Sequence, residues 1–149
     1  MAADMATVPA DLTARVLIVG EVRLVCEGLA RVLIAESEVE VLGTAAVSEA
    51  IALLASLRPN VVLADAAVVR STALVTAAED AGARVVVIGV AEEDEAAVVV
   101  CAGSGVAGFV GREAGLDELV RALEAATRGE VQCSARAAAA VFRRLTARG

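Results

Sequence analysis

Five short aliphatic runs rich in β-branched residues, 16–19, 39–42, 61–63, 85–88 and 106–110, recur along the chain without polar alternation. Runs of this kind suit strands buried on both faces, the condition of a parallel sheet covered by helices. Stretches of helical length lie between them. Residues 23–35 place Val25, Leu29 and Val32 on one stripe, expected to face the sheet, with Arg23, Glu27 and Arg31 at i, i+4 spacing on another. Ser48 is a candidate N-cap for a second helix that Arg58-Pro59-Asn60 ends. Ser71 opens a third that stops at Gly82, and the acids 92–95 open a fourth that closes at Gly103 and Gly105. Residues 116–128 form a fifth, followed by Gly129. The alternation predicts an α/β fold: a doubly wound (βα)5, flavodoxin-like five-stranded parallel sheet with right-handed crossovers. In such sheets function collects at the carboxyl ends of the strands.

The chain of 149 residues is the length of one domain, and 58% of it is apolar, enough for a core without disulfides or a structural metal. No uncharged stretch is long enough and apolar enough for a membrane span, since 96–111 carries four glycines and a serine. Residues 1–13 lack the charged start and apolar run of a signal peptide and are expected to be a disordered leader. The domain proper is expected over 14–129. A linker helix is expected within 130–149, capped by Ser134, with Val141, Phe142 and Leu145 as its apolar contacts.

The absent residue types exclude whole chemistries. There is no histidine, and all 13 basic residues are arginine, so imidazole catalysis, His-ligated zinc, Schiff bases and a P-loop lysine are excluded. Cys26, Cys101 and Cys133 have no CxxC spacing and are odd in number, which fits reduced thiols and a cytoplasmic protein. The net charge of -7 disfavours direct binding of phosphate backbones by the body of the chain. The segment 103–108 satisfies G-x-G-x-x-G literally, but it follows a helix and opens a strand, the reverse of a dinucleotide fingerprint.

At the strand ends stand Gly20-Glu21, Asp65, Gly89 and Gly111-Arg112. With VLIVGE (16–21), EGLARVL (27–33), RPNVVLAD (58–65), ARVVVIG (83–89), GVAGFVGRE (105–113) and LVRALEAATRGE (119–130), they make the chain resemble a CheY-like response-regulator receiver domain over 15–144. Within that family it is similar to the NarL/FixJ type with a LuxR-like tail, whose opening Leu-Thr-x-Arg is matched by Leu145-Thr146-Ala147-Arg148.

The resemblance implies a signalling module rather than an enzyme, and it assigns roles by position. Asp65 stands where the phospho-accepting aspartate stands. Glu21 is the second member of the magnesium-binding acidic pair, with Gly20 in place of the first, which leaves Glu21 and Asp65 as a weakened Mg2+ site and no other cofactor. Gly89 replaces the Thr/Ser hydroxyl that contacts the phosphoryl group, Arg112 replaces the lysine, and Phe109 is at the switch-aromatic position. Phosphoryl transfer depends on positioning and charge stabilisation, so the receiver is expected to be atypical, with phosphorylation weak or unused.

The residues also admit plain readings: Asp65 as a loop cap, Glu21 as a first-turn acid, Arg112 as a solvated charge paired near Glu113 or with Asp65, and Phe109 as core. The partners implied are a homodimer, with Arg121 and Arg128 set against 92–95, and a sensor histidine kinase or a small-molecule ligand. DNA is expected only through a C-terminal helix-turn-helix domain beyond this chain, and a membrane is not expected. Alternatives are a conventional kinase-driven receiver and a stand-alone interaction domain working through the last helix.

Overall fold

The computed structural model describes residues 13–148, so the leader expected over 1–13 lies, but for Thr13, outside the described residues. In chain order the elements are β1 (Arg15–Val19), α1 (Arg23–Glu36), β2 (Glu40–Ala45), α2 (Val47–Leu57) and β3 (Val61–Asp65). A 3-10 turn (Ala66–Arg70), α3 (Thr72–Asp80), β4 (Arg84–Val90), α4 (Glu95–Ala102), β5 (Gly108–Gly111), α5 (Leu116–Thr127) and α6 (Ala135–Arg148) follow. The five strands pair in parallel in the order β2-β1-β3-β4-β5, the arrangement of the CheY-like receiver fold. Among the described residues no helix is long and apolar enough to cross a membrane.

Two apolar layers sandwich the sheet. On one face Val16, Ile18, Val61, Leu63 and Val86 meet Cys26 and Leu33 of α1 and Leu119 and Leu123 of α5. On the other, Leu17, Val19, Val62, Val85 and Val87 meet α2, α3 and α4, with Ala137 and Ala140 of α6 in the same cluster. Strand residues alternate between the layers because successive side chains point to opposite faces, and burial on both sides explains the missing polar alternation.

Several boundaries differ from expectation. β2 runs on to Ala45 and β5 begins at Gly108 rather than 106. Ser48 does not cap α2: the N-cap is Ala46, whose N–H donates to Glu49 Oε1 at 3.5 Å. Of the acids 92–95, only Glu95 lies within α4, and Asp94 caps it by accepting the Ala97 N–H at 3.2 Å. Ser71 and Ser134 do cap α3 and α6, accepting from the N–H groups of Leu74 and Ala137.

The buried stripe of α1 also differs. Cys26 and Leu33 face the sheet, while Val25 and Val32 are 58% and 44% exposed. The helix is apolar on more than one side, so its pattern alone does not select the stripe, and the smaller side chains of Cys26 and Ala30 fit against the sheet. In α6 the contacts are the alanines, with Val141 partly buried, whereas Phe142 and Leu145 are exposed.

Candidate functional site

The carboxyl edge of the sheet carries the residues singled out from the sequence, in two halves. Gly20 and Glu21 follow β1 beside Asp65 at the end of β3, while Gly89 near the end of β4 and Arg112 after β5 make the other half.

Asp65 sits in the acidic half with both carboxylate oxygens placed. Oδ1 accepts the N–H groups of Ala67 at 2.9 Å and Val68 at 3.2 Å and caps the 3-10 turn that the sequence pattern did not announce. Oδ2 faces Gly20: a Cβ there would lie 3.2 Å from it and 2.7 Å from Cys26 Sγ. The thiol therefore fills the volume that a side chain at position 20 needs. Burial, and after it the charge of Asp65, push the Cys26 thiol up from its ordinary pKa, so it stays protonated at neutral pH. Glu21 is exposed and borders a separate hollow of about 280 Å3 with Gly20, Arg23, Cys26 and Glu49.

The cap makes a prediction. Asp65→Asn retains an oxygen acceptor and holds stability within a few tenths of a kcal/mol, whereas Asp65→Ala loses about 1 kcal/mol in urea denaturation. Equal loss in both variants would remove the capping role.

In the other half, β4 and β5 change register between Ile88 and Val90, and Gly89 is the extra residue, at φ +78°. It forms a bulge that relies on left-handed glycine geometry. A threonine or serine hydroxyl at this position would require a backbone that L side chains rarely adopt. The space beside it is open, with nothing within 4 Å of where a Cβ would stand.

Arg112 Nη1 approaches Glu93 Oε1 at 4.0 Å; its ion-pair partner is Glu93 rather than Asp65. Phe109 is buried in the α2–α4 layer, in the same cluster as Ala137 and Ala140.

The loop 91–94 joins this rim to α6. The Ser134 hydroxyl donates to Glu92 Oε2, and Arg143 Nη2 donates to Glu95 Oε2 at 2.9 Å. The hydrogen bond with Arg143 holds the Glu95 carboxyl below its ordinary pKa. Glu92 reaches Ser134 by crossing Gly111, where a Cβ would lie 2.5 Å from Glu92 Oε1. Of the charges expected at a dimer face, Glu92, Glu93 and Glu95 have partners within the chain and Arg128 pairs with Glu130 at 3.0 Å. Sequence reasoning missed the Cys26 thiol against Gly20 and the Glu92–Ser134 tie. Neither has a sequence signal beyond the small residues Gly20 and Gly111 that make room for them.

No protein-family model matches the sequence, and no curated protein matches it. Solved structures do. A LuxR-family two-component response regulator from Aurantimonas sp. SI85-9A1 superposes with a TM-score of 0.72 at 23% identity, covering 90% of this chain and 99% of that one. The signal receiver domain of the response regulator NarL from Mycobacterium tuberculosis gives 0.67 at 27% identity, covering 79% and 98%. RcsB, in a structure of two dimers bound to two parallel DNAs, gives 0.69 at 17% identity, covering 87% of this chain and 68% of that one. The structural neighbours are response-regulator receiver domains of the LuxR and NarL families, and this chain has their fold.

Proposed function

We propose that this chain is the signal-input domain of a NarL/FixJ-type transcription regulator in which aspartyl phosphorylation is weak or unused. Output passes through dimerisation and a DNA-binding domain beyond α6. The likeness to receiver domains supports the input role. RcsB, whose dimers are bound to DNA in one matching structure, supports the output, as does the Leu145-Thr146-Ala147-Arg148 segment at the end of α6.

The observation that carries the atypical reading is the Cys26 thiol in the volume of the missing acid, 2.7 Å from a Cβ at position 20. Magnesium fits such a site poorly. It keeps an octahedral shell of carboxylates and water, and here a buried protonated thiol and a glycine stand where one carboxylate belongs. Glu21 and Asp65 are the acids that would hold the ion. Opposite them, Gly89 has no hydroxyl to donate. Losing one well-placed donor costs about 2.7–4 kcal/mol of transition-state stabilisation in enzymes, so the two absences together leave phosphoryl transfer slow.

The test is incubation with acetyl phosphate and magnesium followed by intact mass measurement. The expected spectrum shows no phosphoryl adduct on Asp65. Stoichiometric modification, or a magnesium-dependent change of oligomeric state with beryllofluoride, would return the chain to the conventional kinase-driven class.

A further inference from the structure

We propose that the groove between α1 and α5 binds a small apolar carboxylate whose charged end is held by Arg112. This deepens the input role proposed above by naming the chemistry of the signal, and it rests on that reading for its consequence but not for the binding itself.

The groove exists because side chains are missing from its walls. Gly28 on α1, Gly89 in the bulge and Gly115 ahead of α5 border it, and a Cβ at any of the three would meet nothing within 4 Å. What remains is a cavity of about 540 Å3, within the range of small-molecule sites. Ile88, Val110 and Leu119 line it from the sheet and α5, and Leu24, Val25 and Val32 of α1 form the opposite wall. These α1 side chains are the apolar stripe that the core leaves over: Leu24 is 79% exposed. A contiguous apolar strip of this kind, set beside a concavity, marks a binding surface.

Arg112 supplies the polar contact. Its side chain is 66% exposed, and its ion pair among the described residues is the 4.0 Å approach to Glu93, longer than a direct charge-assisted hydrogen bond. A carboxylate could take both of its forked N–H groups. A cation among the residues bordering an apolar groove, in a chain of net charge -7, selects an anion with an apolar body. Arg112 and Gly89 also border a second cavity of about 720 Å3 against α3 and α4, so the test must separate the two.

The experiment is isothermal titration of the full chain with sodium decanoate and with decanol, below their aggregation concentrations. Decanoate is expected to bind at least tenfold more tightly than decanol, and Arg112→Gln to bring the two together, since a hydrogen bond to a charged group is worth a factor of about ten or more. Gly28→Leu fills the groove from a helical position where the change favours the helix. It is expected to abolish binding of both probes while melting at or above the parent temperature.

Absence of binding, equal binding of decanoate and decanol, or full binding by Gly28→Leu overturns the proposal, the last by moving the ligand to the second cavity. A concentration-dependent dimer that Gly28→Leu breaks, with no decanoate bound, gives the groove to a second copy and also overturns it. Failure here leaves the phosphorylation result untouched. Conversely, stoichiometric phosphorylation of Asp65 overturns the atypical reading without bearing on decanoate.

Discussion

Gly20→Asp, the substitution that supplies the first acid of the receiver pattern the chain resembles, is expected to destabilise the fold by roughly 1–3 kcal/mol, the usual cost of overpacking a filled interior. The new Cβ lies 2.7 Å from Cys26 Sγ, and with both backbones held the buried thiol must rotate or shift to admit it. The strand end is held by the Gly20 N–H donating to Ala45 O at 3.1 Å, and Cys26 is fixed in the first turn of α1 by its N–H to Val22 O at 3.2 Å. The added carboxylate also stands beside Asp65, whose Oδ2 is 3.2 Å from the same Cβ, and neighbouring like charges repel. Adding Cys26→Ala removes the clash and leaves the repulsion, which a divalent cation offsets. The double variant is therefore expected to recover part of the lost stability and to gain a magnesium-dependent rise in melting temperature that the parent lacks. Denaturant titrations of parent, single and double variants with and without magnesium decide the matter. A single variant as stable as the parent would show that the thiol does not block the position.

Ala137→Asp is expected to release α6 from the body while leaving the (βα)5 core folded. Ala137 is fully buried, and placing an unpaired carboxylate there costs more than the roughly 1–3 kcal/mol of an unpaired neutral polar group. The chain avoids most of that cost by undocking a helix that is otherwise held by Ala140, the Glu92–Ser134 hydrogen bond and the exposed Arg143–Glu95 pair. Trypsin cuts after arginine, and α6 offers Arg136, Arg143 and Arg144. Cleavage at these sites is expected to accelerate on the order of tenfold, since about 1.4 kcal/mol of local stability is a factor of ten in the open population. The main melting transition is expected to stay near its parent value. Phe142→Asp, at an exposed position on the same helix, is the control and is expected to change neither. If Ala137→Asp lowers the main transition as far as a core substitution does, α6 is part of the folding unit rather than a docked appendage.

The sheet was legible because its signal is strong and local. Five β-branched runs of strand length, each followed by a helical stretch and closed by Gly, Pro or a capping serine, admit few architectures. The departures of Gly20, Gly89 and Arg112 from the receiver pattern the chain resembles were also open to view, since comparing side chains by position needs no coordinates. The β4 bulge was not, because a glycine in a strand permits positive φ without requiring it. Nor was the pairing of the acids 92–95, which read as a helix opening and proved to be divided among Ser134, Arg112, the α4 cap and Arg143. A charged side chain on a loop has many reachable partners, and only the fold selects among them.

The order of strand and helix was thus legible in the residues through period and composition, while the reading of Gly20 and Gly89 as replacements of an acid and a hydroxyl came from the resemblance to receiver domains. The tertiary structure decided what took the vacant places. Which stripe of α1 turns inward sets whether Val25 or Cys26 meets the sheet, and that choice puts a thiol against Gly20 and leaves Leu24, Val25 and Val32 on an open groove. An apolar pattern that covers more than one side of a helix fixes that it packs but not how it is rotated, because the rotation is settled by the shape of the surface it packs against.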